Sequence, residues 1–110
     1  MPRPLICFMH VRATPAWLSL PRIERADFIA REIAPLIARH PGVSLRYFDA
    51  EAYASACSDV LMWQAEDQRD YRVLMDELRD TDFFARPYFE LVALIPCVED
   101  GYREIDEAKP

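Results

Sequence analysis

Two stretches of this chain are apolar on both of their alternating sets. In Leu5-Ile-Cys-Phe-Met9 the set Leu5, Cys7 and Met9 opposes Ile6 and Phe8. In Phe89-Glu-Leu-Val-Ala-Leu-Ile95 the set Phe89, Leu91, Ala93 and Ile95 opposes Val92 and Leu94. Successive side chains of a strand point to opposite faces, so such a run has to be covered on both sides. A sheet solvated on one face is excluded, because every second position would then be polar. In 110 residues there is room for one domain, taken here as 1–110, and for one layer of helices. The second covering layer has to come from elsewhere.

Between these runs the period changes in a readable order. The first strand, 4–12, becomes mixed at His10 and Arg12; Pro15 breaks it, and Ala13–Leu20 leads into a helix with Pro21 in its first turn. Ile23, Ala26, Ala30, Ile33 and Ile37 recur at intervals of three and four and predict one buried face, with Arg22, Glu24, Arg25, Arg31 and Glu32 on the remaining surface. Pro35 inside that pattern predicts a kink or a restart, and Pro41-Gly42 an end, with Arg39 and His40 where the helix dipole favours positive charge. Runs 43–49 and 58–64, joined by a polar, alanine-rich connection, read as a central hairpin. Asp67 is a good N-cap for a second helix over 67–80, whose apolar stripe is Tyr71, Leu74, Met75 and Leu78. Phe83–Pro87 reads as a loop with buried aromatic anchors and 88–95 as the last strand. The tail 96–110 is polar and acidic, with Tyr102 as its one large anchor, and is expected to dock on the dimer. The order β-α-β-β-α-β is the ferredoxin-like arrangement, an α+β fold with a four-stranded antiparallel sheet and two helices on one face. A second copy of the same sheet is the simplest cover for the other face, which predicts a homodimer.

Composition narrows the function classes. The net charge is -6, with 13 basic residues scattered among 19 acidic ones, which argues against nucleic acid as a partner. No stretch approaches the ~20 apolar residues of a membrane span, and the N-terminal apolar run is too short for a signal-peptide core. Cys7, Cys57 and Cys97 lack CxxC spacing and read as small apolar residues in a reducing compartment, so a cytoplasmic location is expected. With Gly42 and Gly101 as the only glycines there is no phosphate-cradling loop, and His10 and His40 alone do not make a metal site; no cofactor is expected.

The segments Ser44-Leu-Arg-Tyr-Phe-Asp-Ala-Glu-Ala-Tyr53, Ser58-Asp-Val-Leu-Met-Trp63, Leu78-Arg-Asp-Thr81 and Tyr88-Phe-Glu90, with Thr14-Pro-Ala-Trp-Leu18 near the start, resemble the darcynin family over nearly the whole chain. The resemblance implies a dimeric α/β barrel, in which two sheets face each other. Its wider superfamily includes cofactor-free monooxygenases, haem-handling enzymes and muconolactone-type isomerases, a spread that transfers no single activity.

Several residues are candidates for chemistry. If Phe48 faces Val60 in the hairpin, Tyr47, Asp49, Asp59, Leu61 and Trp63 share one side of the sheet. Neighbouring carboxylates raise one another's pKa and provide an acid or base; the plainer reading is that Asp49 and Asp59 cap a solvated turn. A register slip of one residue would separate them. His10 and Arg12 end the first strand on one side, with Trp17 after them. The resemblance implies a pocket between sheet and helices, where His10 would act as acid, base or haem ligand; otherwise it is a hydrogen-bonded structural residue. Arg46 interrupts the second strand and suits a carboxylate ligand or an ion pair across the dimer, as does Arg86. Tyr47, Trp63 and the other aromatics line a cavity or fill the core. Catalytic candidates are thus His10, Asp49 and Asp59, and ligand-binding candidates Arg12, Trp17, Arg46, Tyr47 and Trp63. The expected function is to bind or transform a small apolar or aromatic molecule, with a non-catalytic dimerisation or interaction module as the alternative.

Overall fold

The computed structural model describes residues 3–108. Its elements in order are β1 (Leu5–Ala13), α1 (Pro15–Leu18), α2 (Arg22–Phe28), a π-helical turn (Ile29–Ile33), α3 (Ala34–Ala38), β2 (Val43–Asp49), β3 (Asp59–Ala65), α4 (Gln68–Asp80), α5 (Asp82–Ala85), β4 (Phe89–Cys97) and α6 (Tyr102–Ala108). The sheet is antiparallel throughout in the order β2-β3-β1-β4. This is the ferredoxin-like α+β arrangement that the periodicities predict.

Directly paired residues of an antiparallel ladder share a face. Cys7 pairs with Trp63, Met9 with Leu61 and Val11 with Asp59, and this face packs under the helices. Trp63, Met9, Leu74, Leu78, Val11 and Cys7 are the largest fully buried side chains, so the core lies between β1, β3 and α4. The stripe expected on α4 is the one observed, and Asp67 caps that helix, its carboxylate accepting from the Arg69 amide at 2.8 Å. The opposite face carries Phe8 paired with Met62 and Ile95, His10 paired with Val60 and Ala93, and Phe48 paired with Val60. No helix among the described residues covers it.

The first helical region departs from the expected register. The amide of Ala34 donates to Ile29, five residues back, because Pro35 has no N–H with which to continue the regular ladder and its ring crowds the preceding turn. One extra residue is thereby absorbed ahead of Pro35, and everything upstream rotates by about 100° relative to a continuous 3.6 repeat. Ile23, expected on the buried face, is 79% exposed, and Ala26 and Ala30 are exposed as well. Ile33 is buried as expected, and Phe28 and Leu36 are buried where the stripe did not place them.

Three smaller corrections concern the connections. Thr14 begins the short helix α1 where a loop was expected. Its hydroxyl accepts from the Trp17 amide at 3.4 Å and donates to the Pro87 carbonyl at 2.8 Å, which fixes the angle at which α1 leaves the sheet. Residues 82–85 form α5, capped by Thr81, although Phe83 is the buried anchor expected there. The last strand runs on to Cys97, and the tail forms α6, on which Tyr102 is 60% exposed in the single chain. Glu104 of that helix accepts from the Arg3 amide at 3.2 Å. No helix among the described residues is long and apolar enough to cross a membrane.

Candidate functional site

A cleft of about 710 Å³ opens between the sheet and the helices α1 to α3, a volume within the usual range for small-molecule sites. Its floor is the helix-facing side of β2 and β3, with Leu45, Tyr47, Asp49, Asp59 and Leu61. Its far wall is Ile29, Ile33, Ala34 and Ile37, and Trp17 and Leu18 of α1 stand at one side. Arg22 and Arg25 complete the helix-side rim. They reach it through the π-turn: in a regular helix ending at the same place, the sheet-facing positions would be Ile23, Ala26 and Ala30.

The hairpin register is the one on which the carboxylate reading depended, with Phe48 opposite Val60 and Asp49 opposite Asp59. The two acids nonetheless have different surroundings. Asp49 is exposed and accepts from the Glu51 amide at 3.2 Å, as an ordinary turn residue does. Asp59 is only 7% exposed. Tyr47 donates its hydroxyl to one oxygen of Asp59, and Ser58 donates to the other at 2.7 Å. Ser58 in turn accepts from the Ala13 amide at 2.8 Å, and its own amide donates to the Val11 carbonyl at 2.9 Å, so the start of β3 is stitched to the end of β1. Burial, and then the hydrogen bond to Asp59, raise the Tyr47 pKa well above the ordinary phenol range, so this hydroxyl keeps its proton.

Trp17 is held by aromatic neighbours on three sides: Phe89 at 5.0 Å, Tyr88 at 5.2 Å and Phe28 at 5.9 Å between ring centroids. The guanidinium of Arg25 lies 6.0 Å from the Trp17 ring and donates to the carbonyls of Trp17, Leu18 and Leu20, closing the end of α1. Among the described residues no ion pair joins Arg22 or Arg25 to the carboxylates across the cleft.

Of the residues singled out from sequence, the cleft gathers Trp17, Tyr47, Asp49 and Asp59. His10 and Arg12 do share a side, but it is the face away from the helices, because even-numbered positions of β1 point there; the pocket between sheet and helices does not hold His10. Arg12 reaches to the Ala56 carbonyl in the β2–β3 connection. Arg46 lies on the open face, 5.4 Å from the Phe48 ring. Trp63 is on the helix side but 1% exposed within the core, its indole N–H without a hydrogen-bond partner. Arg86 pairs with Asp82 at 3.2 Å, and His40 lies 3.3 Å from Glu77. Sequence reasoning missed Arg22, Arg25 and Ile29 as cleft residues. The one signal for them was Pro35, read as a kink without its effect on register.

Comparisons with known proteins agree with this picture of the fold. A family model described as "Darcynin, domain of unknown function" matches residues 1–109. A darcynin homolog of Streptomyces avermitilis is 44% identical over 100 residues, covering 90% of this chain and 82% of that protein. Among solved structures, a chlorite dismutase variant from Candidatus Nitrospira defluvii superposes with a TM-score of 0.73 at 14% identity, over 89% of this chain and 41% of the other. A haem-binding protein from Thermus thermophilus superposes with a TM-score of 0.66 at 14% identity, over 89% of this chain and 40% of the other. The chain thus spans about two fifths of these solved chains, and at such identity the likeness shows the fold.

Proposed function

Because this chain belongs to the darcynin family, for which no function is described, we propose that its activity resides in the cleft and consists of binding a small, largely apolar organic molecule. One observation carries this reading: an apolar cleft of about 710 Å³ has a buried carboxylate with two hydroxyl donors at its floor. Apolar walls with a few converging polar groups are the ordinary makeup of a small-molecule site. Trp17 and the Tyr47 ring supply aromatic surface for the ligand body, and Asp59 orients its polar end. If the bound molecule is transformed, Asp59 is the base and Tyr47 the group that keeps it in place. Asp49 is a solvated neighbour in this scheme.

Haem calls for a separate test, since a haem-binding protein shares the fold. The donor set does not fit an axially ligated haem. Among the described residues no His, Cys or Met lines the cleft, and the Tyr47 phenol is held protonated on Asp59.

A second reading concerns assembly, and it is compatible with the first. The open face presents Phe8, Phe48, Val60, Met62 and Ile95 in one patch, with Phe48 42% and Ile95 48% exposed. A patch of this kind favours burial against a second copy, and His10, Arg12 and Arg46 then belong to that interface. The helix α6 would lie at its edge, beside the start of β1. Three free cysteines, two of them buried, suit a reducing cytoplasm.

Ligand binding is tested by titrating the protein with a panel of neutral aromatic and quinone compounds while following tryptophan fluorescence, alongside Trp17→Phe and the cleft-filling Ala34→Trp. Saturable quenching that Trp17→Phe removes and Ala34→Trp abolishes is expected. An unresponsive protein, or equal responses from all three, overturns the reading.

A further inference from the structure

Resting on the reading of the cleft as a small-molecule site, we propose that its ligand is an organic cation, an amine whose ammonium group sits against Asp59 and whose apolar body lies along Trp17 and Leu61. Buried carboxylates are ordinarily matched by a cation, and Asp59 is not. It is 7% exposed, and no Lys, Arg or His among the described residues lies within ion-pairing distance of it. Its two side-chain donors are the neutral hydroxyls of Tyr47 and Ser58, one on each oxygen. A carboxylate has about four acceptor positions, so roughly half remain for a ligand, and Asp59 is part of the cleft lining.

One further feature favours a positive ligand. Asp49 and Glu51 line the same end of the cleft, so the sheet side is negative, and Tyr47 meets Asp59 as a neutral hydroxyl donor. Arg25 does not neutralise Asp59, because its head is tied to three carbonyls at the end of α1. Arg22, on the opposite rim, is the group that would draw an anionic ligand instead, and the test separates the two.

The intact protein is titrated calorimetrically with three probes of one shape: 2-phenylethylamine, 2-phenylethanol and 3-phenylpropanoate. A charge-assisted hydrogen bond in a sheltered site makes the amine at least about tenfold tighter than the alcohol, with the propanoate weakest. Asp59→Asn should erase that advantage, bringing the amine's affinity down to about that of the alcohol in the same variant, whereas the exposed Asp49→Asn should retain most of it. Circular dichroism reports whether Asp59→Asn folds; if it does not, the amine-to-alcohol ratio in the parent protein decides. Alcohol or propanoate binding as tightly as the amine overturns the cation assignment and leaves the cleft reading intact. Failure of all three probes, where neutral aromatics from the panel bind, also overturns it. Silence towards every compound removes both readings.

Discussion

Asp59 and Tyr47 illustrate how one residue pair ties stability to the site. The Tyr47 ring is largely exposed, with 59% of the residue accessible, while its hydroxyl end is engaged by a buried carboxylate. Tyr47→Phe keeps the ring and deletes the donor, leaving one oxygen of Asp59 short of a partner. We expect a loss of about 1–2 kcal/mol in urea denaturation, together with a changed ligand response. The pKa of Tyr47 is raised, by burial and then by Asp59, and that of Tyr71 is raised by burial and then by its hydrogen bond to Cys7 at 3.3 Å. For a group whose folded pKa lies above its unfolded one, the contribution is complete below the unfolded value and lost as pH rises beyond it. The protein should therefore lose stability above about pH 10. Urea midpoints at pH 8 and pH 11 should differ less in Tyr71→Phe than in the parent chain, and an equal difference would show that Tyr71 is not a source.

At the scale of elements the π-turn is the feature with most consequence, because it decides which side of α2 meets the sheet. It predicts an unequal pair of substitutions. Ile23→Glu, on the 79% exposed residue, should stay within about 0.5 kcal/mol of the parent, whereas Phe28→Ala, at 8% exposed, should cost about 3–5 kcal/mol. A continuous helix with Ile23 on its buried face would give the reverse order in thermal melts. The join between α3 and α4 carries a second prediction. Glu77 accepts from Arg39 at 2.9 Å and lies 3.3 Å from His40, and Arg39 first, then His40, lowers its pKa. A depressed carboxylate contributes above its unfolded pKa and ceases to as pH falls through its folded one. Between pH 5 and pH 3 the melting temperature of Glu77→Gln should fall less steeply than that of the parent; parallel curves would remove Glu77 from the acid limb. The salt dependence of this exposed cluster should be marked.

The whole molecule has one layer of helices and a sheet apolar on both sides. The inference of a homodimer follows from that mismatch, and light scattering at micromolar concentration should give twice the 12.8 kDa chain mass. Met62 is central on the open face, paired with Phe8 and Arg46, and is remote from the cleft floor. Met62→Glu should therefore yield a monomer by light scattering while the helix-side cleft still binds its ligand, since a charge introduced there has to be desolvated for the sheets to meet. A Met62→Glu protein that remains dimeric would place the contact elsewhere.

Much of this was legible in the letters, for a physical reason. Strand alternation and helix periodicity are local, and so is the N-cap of α4; the β-α-β-β-α-β order and the stripe on α4 could both be read without knowing what lay across the sheet. The register of a helix beyond a break is not local. One residue absorbed ahead of Pro35 turned Ile23 outward, buried Phe28, and brought Arg22, Arg25 and Ile29 to the cleft. Likewise the sequence made Asp49 and Asp59 neighbours only if Phe48 faces Val60, and the structure supplied that register. Only the tertiary structure decided that one is a solvated turn residue and the other a buried acceptor for Tyr47 and Ser58, because burial is set by the elements that close over a site and not by the strand that carries it.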